Sequence, residues 1–126
     1  MSNPYKPFEK QKYLNIETFR KNGEGVRTPV WFVQDGEVLY ARTMANSGKV
    51  KRIRNNGQVK IAPCKMDGAL LGDWQPASAR EVDDSEIDRK VDQLLDKKYG
   101  LLKKIFYLRG NSASNQYTIL EMKVSE

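Results

Sequence analysis

The stretch Val26-Arg27-Thr28-Pro29-Val30-Trp31-Phe32-Val33, followed by Asp35-Gly36 and then Val38-Leu39-Tyr40-Ala41-Arg42-Thr43, decides the fold. Both halves are rich in β-branched and aromatic residues, and the Asp-Gly pair between them is a strong short hairpin signal. Alternation sends Thr28, Val30 and Phe32 to one face and Arg27, Trp31 and Val33 to the other. Pro29 has no N–H for a ladder, which puts this strand at a sheet edge or a bulge, where backbone can approach a ligand.

Working outward, Tyr13, Leu14, Ile16, Thr18 and Phe19 read as a preceding strand, turned by Lys21-Asn22-Gly23-Glu24-Gly25. Downstream, Asn46-Ser47-Gly48 opens a short helix that carries Lys49 to Arg54 and stops at Asn55-Asn56-Gly57, with Val50 and Ile53 facing the core together. Residues 58–64 alternate again, and Met66-Asp67-Gly68 is a further reversal. Residues 69–82 read as one long or bulged strand broken near Gly72 and Pro76. Asp83-Asp84-Ser85-Glu86 then has the form of a helix start. Ile87, Val91, Leu94, Leu95, Leu102, Ile105 and Phe106 follow at helical spacing, with Gly100 as an interruption. Residues 116–124 close the chain as a final strand, while residues 1–12, with two prolines, form an N-terminal arm or a short packing segment. Six strands and two helices predict a mainly β protein with some α, a small antiparallel barrel spanning residues 13–126 as a single domain.

With 126 residues the chain is one domain's worth and can bury a core without disulfides. The single Cys64 excludes an internal disulfide, and the absence of histidine removes Ser–His and Cys–His catalysis, histidine-ligated metals and haem. No stretch approaches the roughly 20 apolar residues of a membrane span, and no signal peptide precedes Pro4, so the expected compartment is the cytoplasm. Cys64 reads as a small buried filler.

The net charge of +6 is uneven. Between Glu37 and Asp67, Arg42, Lys49, Lys51, Arg52, Arg54, Lys60 and Lys65 meet no acid, a field that attracts phosphate, carboxylate or nucleic acid. A helix start offers unpaired N–H groups and a positive dipole end. At this one, Ser47 is placed to cap, Gly48 allows close approach, Lys49 and Arg52 share a face, and Arg42 ends the preceding strand. A plain capped surface helix is the bland alternative. Residues 27–33 could form a flat wall beside this anion site, or an ordinary strand. Tyr40 and Trp74 are either core aromatics or stacking ones. Lys97, Lys98, Lys103 and Lys104 complement the dipole of the longer helix.

Gly23-x-Gly25-Val26-Arg27-Thr28-Pro29-Val30-Trp31-Phe32-Val33, with Asp35-Gly36 and Leu39-Tyr40, resembles the flavin-binding split-barrel family of the pyridoxamine phosphate oxidase type. Ser47-Gly48-Lys49-Val50-Lys51-Arg52-Ile53-Arg54-Asn55-Asn56, with Ala62-Pro63-Cys64, resembles its branch of oxidoreductases dependent on the deazaflavin coenzyme F-420. The likeness covers residues 13–82 and returns at Lys97-Lys98-Tyr99-Gly100. It implies a six-stranded split barrel with a short phosphate-side helix and one longer helix, and two chains pairing as a homodimer with the cofactor at their interface. The ring would rest by Thr28, Pro29, Val30 and Trp31, and the phosphate and anionic tail would meet Thr43, Ser47, Lys49 and Arg52. Gly48, Arg42 and Trp74 complete the candidate cofactor-binding set.

The activity so implied is hydride transfer between F-420 and a small organic substrate, with no metal and with the chemistry carried by the cofactor. The same fold holding FMN, as an oxidase or reductase, is the near alternative, and a split barrel that only stores or senses a cofactor is a further one. From a different class, a basic module could clamp nucleic acid with Tyr40 and Trp31. Against it, the cations cluster at one helix start and no RNA-binding signature is present.

Overall fold

The computed structural model describes residues 3–100 and 117–125. Its strands are β1 (Tyr13–Phe19), β2 (Gly25–Trp31), β3 (Val33–Asp35), β4 (Val38–Met44), β5 (Gln58–Cys64), β6 (Gln75–Val82) and β7 (Tyr117–Val124). Two α-helices, α1 (Gly48–Asn55) and α2 (Ser85–Tyr99), and a 3-10 turn at Lys6–Phe8 complete it. All ladders are antiparallel, in the order β2-β1-β5-β6-β7-β4-β3. The edge strands β2 and β3 are consecutive in the chain and separated by Phe32 alone. The sheet therefore stays open in hydrogen bonds while its two edges are joined covalently at one corner, as in a split barrel.

That corner corrects the expected strand count from six to seven. Residues 26–33 do not run as one strand because the chain leaves β1 after Trp31 and joins β4 from Val33. A buried backbone group that leaves a ladder needs another partner. Here the Tyr99 hydroxyl accepts from the Phe32 N–H at 3.1 Å, and the Lys98 ammonium donates to the Phe32 carbonyl at 2.8 Å. The same hydroxyl lies 2.7 Å from the Lys12 carbonyl and 2.9 Å from that of Phe32, and gives its single proton to one of them. A second correction concerns residues 69–82. Strand β6 begins only at Gln75, and before it the chain makes a single bridge, Leu70 to Cys64.

Alternation along β2 and β3 falls as the residue pattern indicates. Phe32 lies in the barrel interior with Leu14, Ile16, Leu39, Ile61, Leu120 and Met122, and Val30 packs against that cluster. Val33 and Trp31 face outward and join α2 through Val91, Leu95 and Tyr99, together with Tyr40, Val82 and Ile119. Helix α1 closes the barrel with Val50 and Ile53, both buried. From the N-terminal segment, Tyr5 and Phe8 enter the same interior, and the Tyr5 hydroxyl accepts from the Val124 N–H at 3.0 Å. Asp84 caps α2, its carboxylate accepting from the N–H groups of Glu86 and Ile87. Gly100 ends α2 at φ +55°, a conformation that glycine adopts without a Cβ penalty. Leu102, Ile105, Phe106, Lys103 and Lys104, expected to continue the helix, and Gln116 of the last strand lie outside the described residues. Among the described residues no helix is long and apolar enough to cross a membrane.

Removing the Tyr99 hydroxyl orphans backbone groups at the corner. Tyr99→Phe is expected to lower unfolding free energy by about 2–3 kcal/mol, the scale of a buried group left unsatisfied. A urea midpoint unchanged from wild type would show that the corner does not depend on that hydroxyl.

Candidate functional site

A cavity of about 460 Å³ opens where β2, β4, the start of α1 and the middle of α2 meet. Six residues expected at a cofactor site line it: Pro29, Val30, Trp31, Arg42, Thr43 and Lys49. Trp31 is held as a flat wall by parallel stacking on Tyr99, with ring centroids 4.2 Å apart and planes 8° apart. Pro29 sits on the edge strand opposite Asn15, so the missing N–H costs no ladder bond on the open side. Thr43 is buried, one residue before the end of β4.

Lys49 and Arg42 bring positive charge to the cavity, and they differ. Lys49 is half-buried in the first turn of α1, and among the described residues it makes no ion pair. Burial, and secondarily the Arg52 charge, hold its pKa below the ordinary lysine value. An ammonium so placed gains from an anion beside it. Arg42 instead spans to α2, with one guanidinium nitrogen 2.9 Å from Asp92 and another 3.0 Å from Asp88. Its charge is largely offset by the protein itself. Ser47 and Gly48, also expected at the site, do not line the cavity. The Ser47 hydroxyl stands at the N-cap of α1 but makes no capping bond, and among the described residues its buried oxygen has no hydrogen-bond partner.

The remaining expected residues are placed elsewhere. Arg52 folds back along α1, where a Cβ on Gly48 would come within 2.8 Å of its guanidinium. Its Nε donates to Thr18 at 2.7 Å. It lines a separate cleft of about 350 Å³ with Phe19, Arg20, Lys21, Asn55 and Asn56. The three cations read as convergent are therefore divided between two hollows. Thr28 is half-buried on β2 opposite Ile16 and does not line the cavity. Trp74 is half-buried with the Arg27 guanidinium 4.9 Å from its ring, and Arg27 is in turn paired with Glu17. Tyr40 is a core aromatic of the cluster under α2.

Tyr13, Met44, Met66, Leu95 and Tyr117 also line the cavity, and none was among the expected residues. Register gives the signal for two of them. Tyr13 lies opposite Trp31 across β1 and β2, and Tyr117 opposite Met44 across β4 and β7, so each shares a face with its partner. Met66 is 72% exposed and Tyr117 36%, leaving an apolar rim that continues into the exposed Leu70 and Leu71 of the same loop.

No protein-family model and no curated protein matches the sequence. Solved structures match the fold. A Listeria innocua protein described provisionally as a pyridoxamine 5'-phosphate oxidase superposes with a TM-score of 0.66 at 11% identity, over 94% of this chain and 87% of that one. HutZ, a heme storage protein from Vibrio cholerae, gives 0.71 at 18% identity, over 94% and 84%. An F420 reductase gives 0.58 at 18% identity, over 100% and 97%. At these identities the likeness establishes the fold, in agreement with the resemblance drawn from the residues.

Cys64, at the end of β5, is buried, and burial pushes its thiol above the usual range, with Asp67 adding to the shift. In the folded protein it should stay unmodified by an aromatic disulfide reagent at neutral pH and react only on unfolding. Rapid native-state labelling would contradict this placement.

Proposed function

We propose that this protein is an oxidoreductase that holds the deazaflavin coenzyme F-420 in the cavity beside Trp31 and serves hydride transfer to or from a small organic molecule. One observation carries the reading: a single cavity gathers the Pro29–Val30–Trp31 wall, Thr43 and, at the start of α1, Lys49, which has no ion pair among the described residues. These are residues that the sequence resemblance assigns to a ring and to a phosphate, and they come from three different elements. The cavity is within the range of small-molecule sites, about 300–1,000 Å³.

The bound deazaflavin would supply the hydride chemistry, which removes any need for a histidine or an active thiol. The chain's own residues would bind, orient and shield. Trp31, immobilised on Tyr99, offers a rigid face; Met44 and Leu95 exclude water; Lys49, in the first turn of α1, offers charge to an anionic group. Arg42, fixed by Asp88 and Asp92, shapes the wall more than it adds charge. The apolar rim of Met66, Leu70, Leu71 and Tyr117 suits cover by a second copy of the chain, so the reading includes a homodimer with the site at its interface. A free thiol and no disulfide accord with a cytoplasmic setting.

FMN in the same cavity is the second reading, favoured by the likeness to a structure described as a pyridoxamine 5'-phosphate oxidase. Nucleic-acid binding is weakened by what holds the cations: Arg42 is tied to Asp88 and Asp92, Arg54 to Glu81, and Arg52 to Thr18. A strand-tracking groove needs such groups turned to solvent along one line.

Fluorescence titration with F-420 and, separately, FMN tests the assignment. Saturable binding of F-420 with little response to FMN is expected. Lys49→Met should weaken it by about 1–3 kcal/mol, roughly five- to 150-fold. Arg52→Met, outside the cavity, should change it less than about twofold. Preference for FMN would transfer the reading to ordinary flavin chemistry, and binding of neither would end it.

The same site has a pH signature. The charged form of Lys49 binds the anion, so affinity is full below its depressed pKa and falls as pH rises through it. The decline should begin at lower pH than an ordinary lysine gives and vanish in Lys49→Met. A flat profile in wild-type protein would exclude Lys49 as the anion's partner.

A further inference from the structure

A second hollow lies on the other side of the Phe32 corner, and nothing in the proposed oxidoreductase reading uses it. It is a cleft of about 360 Å³ between the N-terminal segment, β3 and the last turns of α2. Phe8, Phe32, Val33 and Leu94 form its apolar walls, with Phe8 and Phe32 packed edge to face at 6.0 Å. Leu94 faces this cleft and its neighbour Leu95 the larger cavity, just as Phe32 and Trp31 divide between them. Among the described residues, Lys10, Lys97 and Lys98 line the cleft, against one acidic residue, Glu9.

Lys98 is the informative group. It is half-buried, its Nζ 2.8 Å from the Phe32 carbonyl and 3.6 Å from the centre of the Phe32 ring. A carbonyl and a ring face are neutral acceptors. Among the described residues no carboxylate lies within ion-pair distance of it. A desolvated ammonium without a counter-charge is costly, and burial alone drives its pKa down to about 8. One carbonyl bond uses one of three ammonium donors, and the side chain still lines open space.

We propose that this cleft is a binding site for a small organic acid, with its apolar body against the wall of Phe8, Phe32, Val33 and Leu94 and its carboxylate on Lys98, flanked by Lys97 and Lys10. The ligand supplies the counter-charge that none of the described residues provides, and the excess of lysines over Glu9 sets its sign. A neutral analogue of the same shape lacks that gain.

Benzoate and its neutral isostere benzamide are the probes, titrated into the full chain and followed by amide chemical shifts. Benzoate should bind at least about tenfold more tightly than benzamide, the scale of one charge-assisted contact. Lys98→Met should abolish the difference. Lys97→Gln and Lys10→Gln, at exposed positions whose loss leaves the core intact, should each weaken benzoate by about two- to fivefold.

Affinity should hold below the Lys98 pKa of about 8 and fall by about tenfold per pH unit above it. Among the described residues, the groups facing Lys98 are Glu9 and Lys10 from the N-terminal segment and Lys97 and Tyr99 from α2, while β3 contributes only uncharged Val33 and Gln34. Burial raises the Tyr99 hydroxyl, so it titrates far above this range. Equal binding of the two probes, benzoate affinity unchanged in all three variants, or no saturation by about 10 mM would overturn the proposal. Competition between benzoate and F-420 would also overturn it, by placing benzoate in the larger cavity. Failure of F-420 to bind at all would leave these outcomes unaffected.

Discussion

The corner at Phe32 is the constraint on which the rest of the structure depends. An open antiparallel sheet whose edge strands are consecutive in the chain must let one residue leave one ladder before the next enters another. That residue cannot be left with orphaned backbone groups, because it is buried. The protein meets this with two side chains from the last turn of α2, Tyr99 and Lys98, which take over the N–H and carbonyl that the ladders abandon. Helix α2 is thereby fixed to the barrel at its end as well as along its apolar stripe. The stacking of Tyr99 on Trp31 then follows from where the hydroxyl must be. A backbone requirement thus sets the orientation of the flat wall in the larger cavity.

Electrostatics divides the basic residues in the same economical way. Arg42, Arg54 and Arg80 are each matched to a carboxylate across the fold, by Asp88 and Asp92, Glu81 and Glu121. Each pair joins a largely buried side chain to a more exposed one, and it holds both in place. Among the described residues two half-buried lysines at hollows have no ion-pair partner, Lys49 at one and Lys98 at the other, and burial disfavours the charged form of both. Arginine stays charged at any accessible pH, whereas a buried lysine can lower its pKa, so it tolerates the wait for a counter-ion better.

Much of this was legible in the residues, and the failures share a cause. The Asp35-Gly36 hairpin, the inward turn of Val50 and Ile53, the Asp84 cap and the edge position of Pro29 are local or periodic features, carried by neighbours within a few residues. The break at Phe32 was not readable because its residues look like any buried strand; what ends the strand is a hydroxyl 67 positions away. Lys98 was read as a complement to the helix dipole for the same reason, its partner being Phe32, 66 positions distant. Arg52 and Lys49 do share a helical face, yet Arg52 is long enough to turn back to Thr18, and spacing says nothing about that choice. The strand expected from residue 69 failed because Gly72 and the reversal at Gly68 keep that segment off the ladder until Gln75. Tyr13 and Tyr117 entered the cavity through register, a property of strand pairs that no single strand displays.

The absence of histidine and the inertness of Cys64 take on meaning beside this accounting. Several side chains that could do proton work are engaged in holding the fold: Tyr99 at the corner, Tyr40 under α2, Glu121 against Arg80, and Asp88 and Asp92 against Arg42. A protein that commits its polar groups to architecture can still support redox chemistry if the reacting atoms arrive with a bound group. It then needs a rigid wall, an anion contact and exclusion of water, and on the proposed reading these roles fall to residues of one cavity whose positions the barrel already dictates. On that view the rigidity of the Trp31–Tyr99 pair matters more than any single titratable group. A wall free to tilt would lose the fixed geometry that transfer between two bound molecules requires.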